Sequence, residues 1–386
     1  DCVHLTTNAA GNKLYASLWG MGLLIADIDK NGKTTKYEVW DKNFPLNSTL
    51  NSLTSDSVGY TRITSTAIDL RNQLFIGNFT LGTSQPGLHR YNFSDRSFTE
   101  IQSPDNSADS YECPIDILVA DNNDKWVRIA PNRTSPASIW VVSDQGIQRS
   151  LNTATNNGGL PSETVNDMAK DIDGSIWVGT NIGVAVFYSP SSATRSANQP
   201  INAITPIFEG RPLLEEEQIT AVAIDGGGRK WFGTKRNGVY LYDKDISRSI
   251  LFFNTDNSPL PSNNIIDIAI NKLTGEVFIS TENGIVSFRY NATDPTADGN
   301  EIVVYPNPVR PEFNGLLGIR GLPANSQVKI TDIAGRKVFE GNSNGGGFSW
   351  NLKDYNNRRA KTGIYLVYAS DDEGTETLVG KFAVVE

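Results

Sequence analysis

Cysteine, histidine and methionine each occur only twice in 386 residues. The two cysteines, Cys2 and Cys113, exclude a disulfide-stapled scaffold and a cysteine-based zinc module. Whether they pair with each other is left open by their spacing. The two histidines, His4 and His89, provide little for imidazole metal chemistry. Basic charge is also short: 34 Lys and Arg stand against 43 Asp and Glu, a formal charge of −9. A nucleic-acid binder would normally show the opposite balance. No apolar run reaches the ~18 residues of a membrane-spanning helix. There is no Gly-x-Ser-x-Gly elbow, no phosphate-cradling P-loop and no His-Glu-x-x-His. Nothing resembling a signal peptide follows Asp1, so the chain is expected to be a segment excised from a longer one.

What is abundant is turn chemistry. There are 34 glycines, with many Asn, Ser, Thr and Asp, and they punctuate short β-branched and aromatic runs throughout. That is an all-β pattern, and the runs repeat. The clearest copy is Ile219–Asp225, a Gly226-Gly227-Gly228 turn, Lys230-Trp231-Phe232-Gly233-Thr234, then Asn237-Gly238 and Val239–Tyr242. It reads as strand, tight turn, strand, glycine turn, strand. Copies run from Val165 to Tyr188 and from Ile265 to Tyr290, and three weaker ones lie upstream. The second-strand aromatics fall at Tyr15, Phe75, Trp126, Trp177, Trp231 and Phe278, spaced by 60, 51, 51, 54 and 47 residues. A period near 50 with three or four strands per unit predicts propeller blades. One small twisted sheet cannot bury both faces, whereas radial stacking buries them. The recurring aromatic is expected to pack between blades. Six blades are legible, and a total of six or seven is compatible with closure.

The repeat ends at the polar stretch Asp294–Asn300. Beyond it, seven short strands follow within about 85 residues, which predicts a small immunoglobulin-like antiparallel β-sandwich. The expected domains are a propeller over 1–298 and a sandwich over 299–386. The tail from residue 299 carries ten acidic and ten basic residues, so the entire −9 falls on the propeller.

Candidate chemistry is sparse. Asp27, Asp29, Asn31 and Glu38, with Gly32, satisfy a calcium-loop spacing. That motif needs flanking helices, and here the flanks read as strands, so a hairpin turn is expected. Asp69, Asp121, Asp171 and Asp225 precede the second strand of successive blades and are expected to bond turn N–H groups rather than form a carboxylate array. Arg229, Lys230, Lys235 and Arg236 cluster on two turns of one blade, offering a basic patch for an anionic group on an otherwise acidic body. Trp19 and Trp140 fit the repeat less well than the other tryptophans and are the better candidates for stacking on a ligand. No catalytic constellation and no cofactor site is legible.

Three stretches carry resemblances. Trp177-Val178-Gly179-Thr180 and Trp231-Phe232-Gly233-Thr234 resemble the two-component regulator propeller repeat. Tyr305-Pro306-Asn307-Pro308, Lys329–Asp332, Gly335-Arg336, Gly363-Ile364-Tyr365 and Gly380-Lys381 resemble the C-terminal sorting domain of the type IX secretion system. The junction, from Asn257-Ser258-Pro259-Leu260 through Asn291-Ala292-Thr293 into Tyr305–Pro311, resembles a subunit of that system's cell-surface attachment complex. That family has two propellers before the sorting domain, so this chain would be its C-terminal half. The resemblance implies a non-enzymatic adaptor at the outer membrane of a Bacteroidota-type bacterium. Its implied partners are a sortase, other attachment subunits and anionic lipopolysaccharide or another glycan. It implies no ligand residues. Two alternatives stay open: secreted propeller cargo or the periplasmic sensor domain of a hybrid two-component system, and a polysaccharide hydrolase or lyase using a propeller face.

Overall fold

A computed structural model describes residues 1–52, 60–80, 87–103, 113–130, 139–196, 199–296, 302–370 and 374–385. The protein divides into two compact units, Asp1–Ile219 and Thr220–Glu386. The domain boundary expected at 298/299 lies outside the described residues. Among the described residues no helix is long and apolar enough to cross a membrane.

The fold is all-β and of propeller type. Six antiparallel meanders follow one another at the expected positions among the described residues. In the first unit the strands are Cys2–Thr7, Lys13–Leu18, Gly22–Ile28 and Thr34–Trp40; then Arg62–Ile68, Gln73–Phe79, Leu88–Asn92 and Ser97–Ile101. The third and fourth blades comprise Pro114–Val119, Lys125–Ile129, Ile139–Val142 and Gln148–Leu151, and Val165–Lys170, Ile176–Thr180 and Val184–Phe187. Each blade is a consecutive up-and-down ladder, the topology that short tight turns dictate.

Within the first unit a separate core lies between each successive pair of blades. Tyr15 of the first blade packs with Ile63, Leu74 and Ile76 of the second. Phe75 packs with Ile117, Val127 and Trp140 of the third, and Trp126 with Met168, Val178 and Phe187 of the fourth. In these three blades the second-strand aromatic thus points at the following blade. Innermost strands are also stitched by hydroxyls: Thr6 Oγ1 donates to the Thr66 carbonyl at 2.7 Å, and Ser65 Oγ to the Pro114 carbonyl at 3.2 Å.

The second unit holds the fifth and sixth blades: Ile219–Ile224, Lys230–Thr234, Val239–Tyr242 and Ser249–Phe253, then Ile265–Asn271, Glu276–Thr281 and Gly284–Arg289. Trp231 packs against Ile265, Ile268, Val277 and Ile279. Phe278 departs from the expected packing. It occupies the same repeat position but is 40% exposed, with Ile266 and Ile285 also exposed. Because side chains alternate along a strand, Val277 and Ile279 face the fifth blade and Phe278 is turned the other way, to solvent.

The sandwich follows in the same unit. One sheet orders Ala292–Thr293, Asn344–Gly345, Gly347–Trp350, Leu317–Arg320 and Val303–Tyr305; the other orders Lys337–Asn342, Gln327–Asp332, Gly363–Ser370 and Glu376–Val384. Leu317, Ile319, Val328, Ile330, Trp350, Val367 and Phe382 fill the space between them. The exit from the sixth blade enters this sheet directly, Ala292 and Thr293 pairing in parallel with Asn344 and Gly345. A side chain at Gly226 would lie 2.1 Å from the Thr293 carbonyl carbon. Glycine therefore lets the fifth-blade turn and this strand pass backbone to backbone.

Candidate functional site

The four-residue basic patch does not lie together on the surface as expected. Arg229 and Lys230 are buried. Arg229 Nε donates to Asp225 Oδ2 at 2.7 Å and its Nη1 to Asn291 Oδ1 at 2.8 Å, with the guanidinium 4.5 Å from the Tyr290 ring centre. Asn291 Nδ2 in turn donates to Ser349 Oγ at 3.2 Å. Arg229 therefore braces the exit of the sixth blade, from which contact continues into the sandwich. Lys230 Nζ donates to the carbonyls of Gly228, at 2.7 Å, and Lys244. A sequence signal for this existed: Lys125 stands before Trp126 as Lys230 stands before Trp231, and Lys125 Nζ likewise donates to a turn carbonyl, that of Asn123, at 2.7 Å. Lysine at this repeat position is a buried strut. Lys235 and Arg236 remain exposed on their turn.

The aspartates divide. Asp69 accepts from the N–H groups of Arg71 and Gln73, and Asp225 from those of Gly227 and Arg229, as turn chemistry requires. Asp171 accepts from Ile172 N–H, and Asp173 from the N–H and hydroxyl of Ser175. Asp121 differs, meeting Lys170 Nζ at 2.8 Å across the third and fourth blades. The calcium-loop spacing falls on a hairpin: Asp29 Oδ1 accepts from Asn31 and Lys33 N–H, Asp27 pairs with Lys13, and Glu38 lies opposite Ile25 within a strand pair. Among the described residues no group of three or more His, Cys, Asp or Glu is arranged to hold a metal ion. Cys2 is exposed and Cys113 buried, both as free thiols; burial pushes the Cys113 thiol up to about 12.

The two tryptophan candidates also separate. Trp140 is buried in the core between the second and third blades. Trp19 is 36% exposed, whereas the other six tryptophans are buried. Trp19 follows the second strand of the first blade and forms an isolated antiparallel bridge with Arg62, the first residue of the second blade. The Arg62 guanidinium carbon lies 4.5 Å from the Trp19 ring centre, 5.1 Å from Tyr60 and 5.5 Å from Phe79. Phe79 and Trp19 are themselves 5.6 Å apart. Gly20 lets the arrangement close, since a side chain there would lie 2.5 Å from the Tyr60 ring. This aromatic-arginine cluster is the candidate site. Tyr60 and Arg62 lie two residues apart at the entrance to the second blade and Phe79 ends its second strand; only Trp19 of the four stood out in the sequence. A second concavity, a groove of about 740 Å³, is lined by His4–Thr7, Thr66–Leu70, Ile117 and Val119 on the innermost strands and turns. His4 Nε2 lies 3.9 Å from Asp116 there.

These features match known proteins in two ways. Residues 303–384 match the secretion system C-terminal sorting domain, and residues 159–181 match the two component regulator propeller. No curated protein matches the chain. Among solved structures, the whole chain aligns with 51% of PorZ, described as an essential bacterial surface component of the type-IX secretion system of Porphyromonas gingivalis, at 25% identity and a TM-score of 0.64. The extracellular domain of the BT4673 one-component system of B. thetaiotaomicron aligns at 13% identity and a TM-score of 0.39, over 99% of this chain and 56% of that one. The extracellular domain of the hybrid two-component system BT3049 aligns at 13% and 0.40, over 99% and 55%. The chain thus spans about half the length of the structures it resembles. It is a propeller-type protein ending in a sorting domain. Its likeness to PorZ along its full length associates it with type IX secretion.

Proposed function

We propose that this chain is part of a non-enzymatic cell-surface adaptor of the type IX secretion system. Its propeller-type body, taken as residues 1–298, binds anionic lipopolysaccharide or a related glycan. Its terminal sandwich, 299–386, engages the secretion route. The adaptor works at the outer membrane beside a sortase and other attachment subunits, supporting the attachment of cargo. The observation that carries this reading is the sorting-domain match at 303–384 within a chain that aligns along its whole length with PorZ. A delivery role requires binding without bond breaking.

The test is fractionation of the native host. Outer membranes should retain a form that reacts with antibody against residues 303–384, and the purified protein should retain anionic lipopolysaccharide over neutral glycan. A membrane-bound form ending near residue 300 would make the protein cargo.

A further inference from the structure

We propose that Trp19, Tyr60 and Arg62 form a binding site for an acidic saccharide, a pyranose that carries a carboxylate or phosphate. The inference deepens the glycan-binding reading above and rests on it for biological context, but its observations are independent. The Arg62 side chain makes no ion pair and donates no hydrogen bond among the described residues, and its Nε is buried without a partner. Compare Arg229, whose charge is met by Asp225 and whose Nη1 is met by Asn291. The faces of the Arg62 guanidinium are occupied by rings, which attract it through their quadrupoles. Ring stacking satisfies the faces of the fork but none of its in-plane N–H donors. Those donors match a carboxylate or phosphate in bidentate geometry.

The rings supply the second half of the recognition. Trp19 and Tyr60 are 36% and 40% exposed, large apolar surfaces held beside a positive charge on a body of net charge −9. The general field of the protein repels anions, so an anion is retained here only if something besides charge contributes. The C–H face of a pyranose lying on an exposed ring is such a contribution. A free inorganic anion uses only Arg62, and a neutral sugar uses only the rings. An acidic saccharide uses both and is the ligand class the cluster selects.

The whole chain is titrated calorimetrically with tetragalacturonate as the carboxylate probe, mannose 6-phosphate as the phosphate probe, and maltotetraose and inorganic phosphate as controls. At least one acidic sugar should bind about tenfold or more tightly than either control, the scale of one charge-assisted bidentate contact. Whichever acid wins names the anionic group. Arg62→Met keeps the stacked volume and removes the charge; it should abolish that margin while leaving maltotetraose unchanged. Equal binding of acidic and neutral sugars, or an unaltered margin in Arg62→Met, overturns the site. A readout on the unmutated protein guards against misfolding of the variant. Trp19 is the one exposed indole among the seven, so its oxidation by N-bromosuccinimide should be slowed by the acidic sugar and not by phosphate. Lack of protection overturns the site as well. Lipopolysaccharide retention is measured in parallel. If Arg62→Met keeps both the acidic-sugar margin and lipopolysaccharide retention, the site is wrong and the adaptor reading stands. If the acidic sugar binds at Trp19 but lipopolysaccharide is not retained, the site stands and the delivery role falls.

Discussion

Replacing Trp231 with alanine and, separately, Phe278 with alanine tests how the blades are held together. The two residues share one repeat position and differ in surroundings. Trp231 is wholly buried among Ala221, Val239, Leu241 and the inward side chains of the sixth blade, and its Nε1 donates to Asp225 Oδ2 at 3.2 Å. Truncating a buried tryptophan costs about 3–5 kcal/mol, from lost transfer energy plus the cavity left behind. Loss of the indole hydrogen bond adds about 1 kcal/mol at most, because Asp225 Oδ2 keeps its bond from Arg229. Phe278 leaves no enclosed cavity. With 40% of its surface already exposed, it forfeits only part of the ~1.5–3 kcal/mol that full burial of such a side chain provides, so about 1 kcal/mol is expected. The assay is urea denaturation of the whole chain, with hydrogen exchange read separately over 230–242 and 265–289. Trp231→Ala should lower the unfolding midpoint several times more than Phe278→Ala and should raise exchange in both segments. Equal losses would refute the reasoning, since Phe278 would then be packed in solution.

Other outcomes follow from the same geometry. Arg229→Met should cost about 3–5 kcal/mol, the penalty for stranding Asp225 as an unpaired buried charge; Lys235→Met and Arg236→Met, on the exposed turn, should change thermal stability by less than about 0.5 kcal/mol. Burial acts to raise the Asp144 carboxyl, but the hydrogen bonds from Lys125 and Asn123 outweigh it and hold the group below its ordinary 3.8. Asp332 is held low by Arg336 N–H. A folded value below the unfolded one stabilises at pH above the unfolded value and is lost as pH falls through the folded one, so the melting midpoint should be level from neutral to about pH 5 and decline below that. A midpoint that rose on acidification would contradict the sign. In native protein a thiol reagent should label Cys2 promptly and Cys113 only after unfolding, since burial raises the Cys113 thiol to about 12; equal labelling rates would place Cys113 at the surface.

Much of the fold was legible because a repeat states its packing several times over. The spacing of Tyr15, Phe75, Trp126, Trp177 and Trp231 located five second strands whose aromatics are all buried. The seven strands expected beyond the polar stretch correspond to the seven longer strands observed from Val303 to Val384. The site was less legible. Arg229 and Lys230 look like surface charge in a turn, and only their partners Asp225, Asn291 and the carbonyls of Gly228 and Lys244 make burial tolerable. Trp140 stood outside the pattern of second-strand aromatics because it belongs to a third strand, where it serves the same inter-blade core. Trp19 was singled out for the same irregularity, but Tyr60 and Arg62 lie more than 40 positions away along the chain.

Alternation, turn residues and a period near 50 are local properties, and they sufficed to determine strands, meanders, the all-β class and the terminal sandwich, because each follows from neighbours close in the chain. Which charges are spent inside and which face water was decided only by the tertiary structure. A guanidinium at Arg229 and one at Arg62 are chemically identical, and the difference between a brace and a binding site is whether a carboxylate or a set of rings happens to be folded against it.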